Sequence, residues 1–346
     1  MNRISLLVAM MAVLSGCQSM GPSSPGDVND RSGLYNGSRS VLYKVQKDIS
    51  SPEQVMLIAE TAYRAGDLDQ ALYQYLRAIE LDPKRYEALV WVGRIHRERG
   101  NQQLAEMAFA DVLNSDPDNP DALAEMGLLN LTMRRHDLAV EMLGKAVGLD
   151  QKRLGGTAAD ASTVDVASLK VDAQSPLKVY NGLGVLADLR NDFPKAEAYY
   201  RLAMQIEPRS ALVQNSLGYS YYLAGRWEEA ARAYQLGITY DSNYKPLWRN
   251  YGLLLARTGR YEEAISAFEQ IENSAEASND VGYISLIEGK LDVAEQFFRS
   301  AIEQSPAHYD VAWQNLNRVQ QIRRIRELGG NPDSVAVAPL EEPVAQ

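Results

Sequence analysis

Few side chains in this sequence have the type and spacing that chemistry would need. The three histidines, His96, His136 and His308, never occur four residues apart, the spacing that places two metal ligands on one face of a helix. Gly144-Lys145 lacks the upstream glycine and the following hydroxyl residue of a phosphate-binding loop. No serine-elbow motif is present. The sequence therefore predicts no metal, no cofactor and no enzymatic activity.

Cys17, the only cysteine, ends an N-terminal segment that differs from the rest of the chain. Arg3 is the only charge ahead of it, and the apolar run over 4–14 is too short to span a bilayer comfortably. The residues LSGC at 14–17 resemble the lipobox of bacterial lipoproteins. That resemblance implies acylation of Cys17, palmitate included, and Gln18 after it resembles the signal for sorting to the outer membrane. We expect a lipid-anchored protein on the periplasmic face of that membrane; a plain secretory signal with an incidental cysteine is the alternative.

Composition and charge exclude one class of partner. The chain is 46% hydrophobic and 23% charged, as is ordinary for a folded protein, and its formal net charge is −10. Affinity for nucleic acid comes largely from Lys and Arg that neutralise phosphates, and basic residues concentrate only near the C-terminus, in Arg318, Arg323, Arg324 and Arg326. Nucleic acid is therefore not an expected partner.

Self-similarity at a period near 34 residues dominates the rest of the chain. Seven segments begin near residues 52, 86, 120, 177, 211, 245 and 275. A small residue occupies the eighth position of each: Ala59, Gly93, Gly127, Gly184, Gly218, Gly252 and Gly282. Alanine follows twelve residues later in every segment, and a large apolar residue four beyond that: Tyr75, Phe109, Leu143, Tyr200, Tyr234, Phe268 and Phe298.

Each of these positions has a mechanical reason. Gly or Ala at the crossing point lets two helices approach closely, and we expect the large apolar residue to fill the layer between one hairpin and the next. Glycines such as Gly66 and Gly225 fall where the turn within a hairpin needs a left-handed residue. The pattern resembles the tetratricopeptide repeat family over roughly residues 52–306. The fold class expected is all-α: an α-solenoid of about seven tetratricopeptide helical hairpins with a C-terminal capping helix.

The repeats divide the chain, and two of them depart from the pattern. Residues 154–176 form an insertion between repeats three and four that is rich in small and polar types, which predicts a flexible loop or a hinge. Repeat six is about four residues short, so its second helix must be truncated or its turn compressed. The predicted organisation is a signal peptide over 1–16, a lipidated tether over 17–51, repeats over 52–153, the insertion, repeats over 177–306, a capping helix over 307–329 and a disordered tail over 330–346.

Tetratricopeptide superhelices bind partners in a concave groove lined mainly by their first helices. The resemblance therefore assigns groove positions to this chain, and those of the later repeats mix aromatic and polar residues: Asn181, Val185, Asn215, Tyr219, Tyr222, Arg249, Leu253, Arg257, Asn279 and Tyr283. Tyrosine offers a rigid contact area with a polar tip, and asparagine can bond a peptide backbone. Each residue could equally serve in packing. Repeats one and two are more charged there, so we expect the principal peptide groove after the insertion.

An exported lipoprotein with a tether and several repeats resembles the accessory lipoproteins of pilus and secretin systems. The resemblance is greatest to the Tad/Flp pilus assembly lipoproteins of the TadD type, with the type IV pilus pilotins as a related family. It implies a non-catalytic scaffold whose partners are pilus components or an outer-membrane secretin. The alternative is an NlpI-like adaptor that gathers peptidoglycan hydrolases or proteases at the envelope.

Overall fold

The computed structural model describes residues 51–156, 165–305 and 307–329, and every regular element in these ranges is helical. Seven hairpins and one terminal helix are built from α1 Pro52–Arg64, α2 Leu68–Leu81, α3 Tyr86–Glu98, α4 Gln102–Ser115, α5 Pro120–Thr132, α6 His136–Arg153, α7 Leu177–Asp188, α8 Phe193–Ile206, α9 Ala211–Leu223, α10 Trp227–Tyr240, α11 Lys245–Arg257, α12 Tyr261–Phe268, α13 Ser274–Ile287, α14 Leu291–Gln304 and α15 Asp310–Glu327. The predicted all-α solenoid is confirmed. Cys17, the tether, Pro306 and the tail lie outside the described residues.

In six of the seven hairpins the two helices meet where the first one carries glycine, and hairpin one has Ala59 there. A Cβ built on Gly184 would lie 2.5 Å from the ring of Tyr200, and one on Gly218 would lie 2.5 Å from the ring of Tyr234. Any side chain there would overlap the ring, so glycine is required by space. The large apolar residue thus rests on the glycine of its own hairpin. It also reaches the next hairpin, as expected, since the ring of Tyr75 stacks on Trp91 and that of Tyr234 lies 6.3 Å from Tyr251.

The turn inside each hairpin uses a left-handed residue. Gly225 has φ of +72°, and glycine takes the corresponding place in five of the seven hairpins. Hairpins three and four have Arg134 and Asn191 there instead, both with φ of 58°. A residue with a Cβ is strained in this region, arginine more than asparagine. These two hairpins accept a local cost that the other five avoid.

Stacking of the hairpins gives the solenoid two unequal surfaces. First helices of successive hairpins contact one another, α7 with α9, α9 with α11 and α11 with α13. Second helices make no comparable contact with each other in the described part of the chain. The first helices therefore form the inner surface and the second helices the outer one. Because α5 also contacts α7, repeats three and four stack directly across the insertion.

The insertion differs from its prediction. Residues 165–176 pack on the solenoid, with Val166 only 6% and Leu169 only 9% exposed in the same cluster as Tyr180. The Gln151 amide fastens the segment, since its Nε2 donates to the Lys170 carbonyl at 2.7 Å and its Oε1 accepts from the Lys170 amide at 3.0 Å. Residues 165–176 are not a flexible loop, because their apolar side chains pack against α8. Residues 157–164 lie outside the described residues.

The short sixth repeat is explained by its second helix. Helix α12 has 8 residues, whereas its counterpart α10 has 14. Of the two predicted alternatives the truncated helix is correct, and the chain passes over only five residues, 269–273, into α13. Within the described ranges, no helix has both the length and the hydropathy that crossing a bilayer requires.

Candidate partner-binding surface

Four of the ten residues predicted to line the groove are buried. Asn215 is fully buried, Asn181 and Tyr283 are each 5% exposed, and Asn279 is 6% exposed. Asn215 Oδ1 accepts a hydrogen bond of 2.9 Å from Asn250 Nδ2, which joins α9 to α11. In the same way Asn279 Oδ1 accepts 3.0 Å from Asn315 Nδ2, which joins α13 to α15. Asn215 and Asn279 thus connect first helices. The prediction that these four residues contact a partner is corrected, because their side chains are buried.

The other six remain at the surface, and four of them define what we call the aromatic strip: Tyr219, Tyr222, Leu253 and Arg257. All four are half-buried on α9 and α11. The rings of Tyr219 and Tyr222 stack with centroids 5.9 Å apart and 13° between their planes. Arg257 donates to the Tyr222 hydroxyl at 2.7 Å and lies 5.1 Å from its ring centroid. Ring faces held rigidly at an inner surface offer contact area at little entropic cost.

The remaining two predicted residues flank this strip. Val185 is half-buried on α7, and Arg249 is exposed on α11. Burial raises the pKa of Asp280 and of Glu272, and nearby Arg249 offsets part of that rise, yet it forms no ion pair with either in the described part of the chain. The structure thus brings Tyr219, Tyr222 and Arg257 together and leaves Arg249 beside a second group of charges.

That second group, the acidic column, consists of Glu272, Glu276 and Asp280. Glu272 lies in the connection before α13, and Glu276 and Asp280 lie one turn apart on the helix itself. Glu272 Oε1 is buried without a hydrogen-bond partner. Burial and then the charge of Asp280 raise the pKa of Glu272 to about 8, and burial raises the pKa of Asp280 to about 6. Glu276 is exposed and accepts a hydrogen bond of 3.1 Å from the Asn273 amide, which closes the capping box of α13.

Tyr309, just before α15, faces the same column. Burial, followed by the charges of Asp280, Glu276 and Glu272, raises the pKa of its phenol to about 12. The hydroxyl stays protonated at any physiological pH. Tyr309 and Arg249 are therefore both near the carboxyl groups at the start of α13.

A further buried carboxylate lies at the end of α7. Asp188 is 6% exposed, and its two oxygens accept hydrogen bonds of 2.7 Å from the hydroxyls of Tyr200 and Ser220. Burial raises the pKa of Asp188 to about 6, while the two hydroxyl donors act in the opposite direction. This carboxylate ties three helices, α7, α8 and α9, without a positive partner.

Repeats one to three carry a different cluster that our reading also missed. Trp91 stacks on Tyr75 with centroids 5.7 Å apart, and Arg94 lies 4.5 Å from the Trp91 ring. Arg94 Nε donates to Glu125 at 2.6 Å, and Arg97 lies 3.0 Å from the other oxygen of the same carboxylate. Glu125 is 5% exposed. This cluster is charge-balanced, and it fills the inner surface there.

Comparison with known proteins identifies the repeats. The tetratricopeptide repeat family model matches residues 56–120, 190–246 and 217–275. Among curated proteins, the BBSome complex member BBS4 of Bos taurus is 24% identical over 242 residues, which are 66% of this chain and 46% of that protein. The peroxisomal targeting signal receptor of Kluyveromyces lactis is 22% identical over 61% of this chain and 40% of its own length. The chain thus spans under half of these relatives.

Solved structures resemble the fold. A tetratricopeptide repeat protein from Parabacteroides merdae has a TM-score of 0.50 and 16% identity, over 78% of this chain and 98% of its own. The anaphase-promoting complex hetero-tetramer Cut9-Hcn1 gives a TM-score of 0.54 with 16% identity, over 75% of this chain and 48% of that one. At these identities the likeness describes architecture alone.

Proposed function

We propose that this tetratricopeptide repeat protein is a non-catalytic scaffold that binds an extended segment of a partner protein on the inner surface of repeats four to seven. The observation that carries the proposal is the aromatic strip. The rings of Tyr219 and Tyr222 stack on α9, and Arg257 of the adjacent first helix α11 holds Tyr222, yet all three side chains stay partly exposed. Partly exposed, rigid aromatic and arginine side chains are the residue types enriched at the centres of protein interfaces.

The place of action is the second part of the proposal. We place the chain on the periplasmic face of the bacterial outer membrane, anchored through acyl chains on Cys17, with assembly of a Tad/Flp-type pilus or its outer-membrane secretin as its task. Residues LSGC at 14–17 and Gln18 support the anchor and its destination. Several acyl chains give stable attachment where a single chain would be marginal. The inner surface would then face partners that assemble at that membrane.

A pull-down of the lipidated full-length chain from native envelope extract tests the groove. The test variant is Tyr219→Ala with Tyr222→Ala. The matched control is Tyr240→Ala, because Tyr240 is a half-buried tyrosine on the outer helix α10 that carries Arg209 5.4 Å from its ring centroid. We expect the wild type and the control to recover a secretin or pilus subunit, and the double variant to lose it. Recovery of murein hydrolases or proteases instead would favour the adaptor function.

The anchor is tested separately by labelling with palmitate and by membrane fractionation. Wild-type protein should incorporate label and sediment with the outer membrane, and Cys17→Ser should do neither. Label-free wild-type protein in the soluble fraction would reject the anchor and leave the groove unaffected.

A further inference from the structure

Helix α2, at the N-terminal end of the solenoid, buries polar side chains on one face. Gln70, Gln74 and Arg77 share that face, because they lie four and three residues apart along the helix. Gln74 is 1% exposed, the Oε1 atom of Gln70 is buried, and Arg77 is half-buried. In the described part of the chain the main contacts of α2 are with α1 and α3. The polar face thus lies at an end of the array and yet is shielded from solvent.

In later hairpins the position equivalent to Gln74 faces the preceding hairpin. Phe297 occupies it in hairpin seven, and its ring centroid lies 5.5 Å from that of Tyr261 on α12, the second helix of hairpin six. Ala108 occupies it in hairpin two and is 0% exposed. Among the described helices none precedes α1. The burial of a large polar side chain at this end therefore requires a cover that the described helices do not supply.

We propose that residues 40–49 dock on this polar face of α2 and close the N-terminal end of the solenoid. The segment ends just ahead of α1. Glu53 at the start of α1 pairs with Arg85, which follows α2, so the chain enters the solenoid beside the end of α2. The stretches 157–164 and 330–346 adjoin α6 and α15, in later parts of the array. Proximity therefore favours residues 40–49 as the cover.

The sequence of the segment suits that face. Residues 40–49 read SVLYKVQKDI, in which Val41, Val45 and Ile49 recur every four residues with charged residues between them. This spacing gives a helix one apolar side. Long polar side chains such as those of α2 offer aliphatic stems to an apolar neighbour and keep their polar ends available for hydrogen bonds. An amphipathic segment is therefore a suitable cover for a face of this kind.

The length of the segment permits the docking. Ten residues cover about 15 Å as a helix or about 33 Å when extended, whereas Gln70 to Arg77 spans about 10 Å of α2. Residues 40–49 also lie between Cys17 and the first repeat. With the anchor proposed at Cys17, docking brings hairpin one, rather than the aromatic strip, to the anchored end of the protein.

Thiol labelling of full-length chains tests the docking. Each chain carries Cys17→Ser and one reporter cysteine, whose reaction with a maleimide is followed by mass spectrometry. Gln74→Cys reports on the polar face of α2. Leu57→Cys is the open reference, because Leu57 is 65% exposed on α1. Ala108→Cys is the buried reference, at the equivalent position of hairpin two.

Each reporter is measured in three chains that differ only ahead of the first repeat. One is intact, one lacks residues 40–49, and one keeps the length but carries Val41→Ser, Leu42→Ser, Val45→Ser and Ile49→Ser. In the intact chain we expect Gln74→Cys to react about tenfold more slowly than Leu57→Cys, and in both altered chains to come within about threefold of it. Ala108→Cys should stay slow in all three.

Two results would overturn the inference. One is fast labelling of Gln74→Cys in the intact chain. The other is continued protection of Gln74→Cys in both altered chains, which would assign the cover to another part of the protein. Fast labelling of Ala108→Cys in the deletion chain would mean that hairpin packing is lost there, and the serine chain then decides, because it changes only four side chains.

Discussion

Repeats one to three and repeats four to seven pack their helices in the same way but give their buried carboxylates different partners. Both use a close helix crossing filled by a large apolar side chain. In the first half the buried carboxylates have arginine partners, Glu125 with Arg94 and Arg97, and Asp150 with Arg153 at 2.6 Å. In the second half Asp188 has only hydroxyl partners, and Glu272 and Asp280 form no ion pair in the described part of the chain. The fold therefore accommodates either arrangement.

Breaking the balanced charges of the first half should have the largest effect. Glu125→Gln leaves Arg94 and Arg97 partly buried without their counter-charge, and removal of one partner from such a network costs about 3 kcal/mol. We expect a clearly lower midpoint in urea denaturation. The control is Glu106→Gln, whose ion pair with Arg135 is about as close, at 2.6 Å, but is 36–40% exposed. Such exposed pairs contribute under about 1 kcal/mol. Equal losses would contradict the contrast between balanced and surface charge.

Neutralising the buried Asp188 in the second half should raise the free energy of unfolding. Asp188→Asn removes a buried charge and keeps the shape of the side chain, and the rotating hydroxyls of Tyr200 and Ser220 can bond an amide. A pKa of about 6 in the folded state, above the ordinary 3.8, means that ionisation opposes folding. We expect a gain of about 2 kcal/mol at pH 7.5 in urea denaturation.

The effect of Asp188 on stability depends on pH in one direction. Its folded-state pKa is raised, so its favourable contribution is complete below pH 3.8 and is lost as pH rises through about 6. The advantage of Asp188→Asn over the wild type should therefore shrink as pH falls from 7.5 to 4. An advantage that is independent of pH would show that the charge of Asp188 is not its cause.

The smallest effect concerns the turns of the two hairpins that flank the insertion. Arg134→Gly in hairpin three should raise stability by about 0.5 kcal/mol, because relief of left-handed strain is partly offset by the freer unfolded chain. The reciprocal change in hairpin five, Gly225→Arg, should lower stability by about 1 kcal/mol, since Gly225 has φ of +72°. Differential scanning calorimetry would measure both. A loss in Arg134→Gly would show that contacts of the arginine outweigh the strain.

Much of the fold could be predicted from the sequence because the same packing positions recur in all seven repeats. Gly218 and Tyr234 sit sixteen residues apart, as do their counterparts, and one hairpin geometry explains them all. The packing of the insertion was harder to predict, since it depends on a hydrogen bond between Gln151 and Lys170, which lie nineteen residues apart. Neither residue type indicates this contact. Local patterns describe local packing, whereas single long-range hydrogen bonds leave no periodic signal.

The candidate site was predicted only in part, and the asparagines show why. Asn215 and Tyr219 lie one helical turn apart on α9, so sequence spacing places both on nearly the same face. A slight rotation of that face toward α11 buries Asn215 against Asn250 and leaves Tyr219 partly exposed. The angular difference is too small for a repeat alignment to resolve. Burial of this kind depends on the neighbouring helix, which the sequence of one hairpin does not contain.

Within the described residues, helix α15 gives the solenoid an odd number of helices. It stacks on α13 through Asn315 and Asn279, and two residues after its last residue Gly329 has φ of +72°, the conformation of the turns within hairpins. Among the described residues the inner row therefore holds eight helices and the outer row seven. A protein engineer could use Gly329 as a coupling point, because a helix grafted after it would pair with α15 and extend the array.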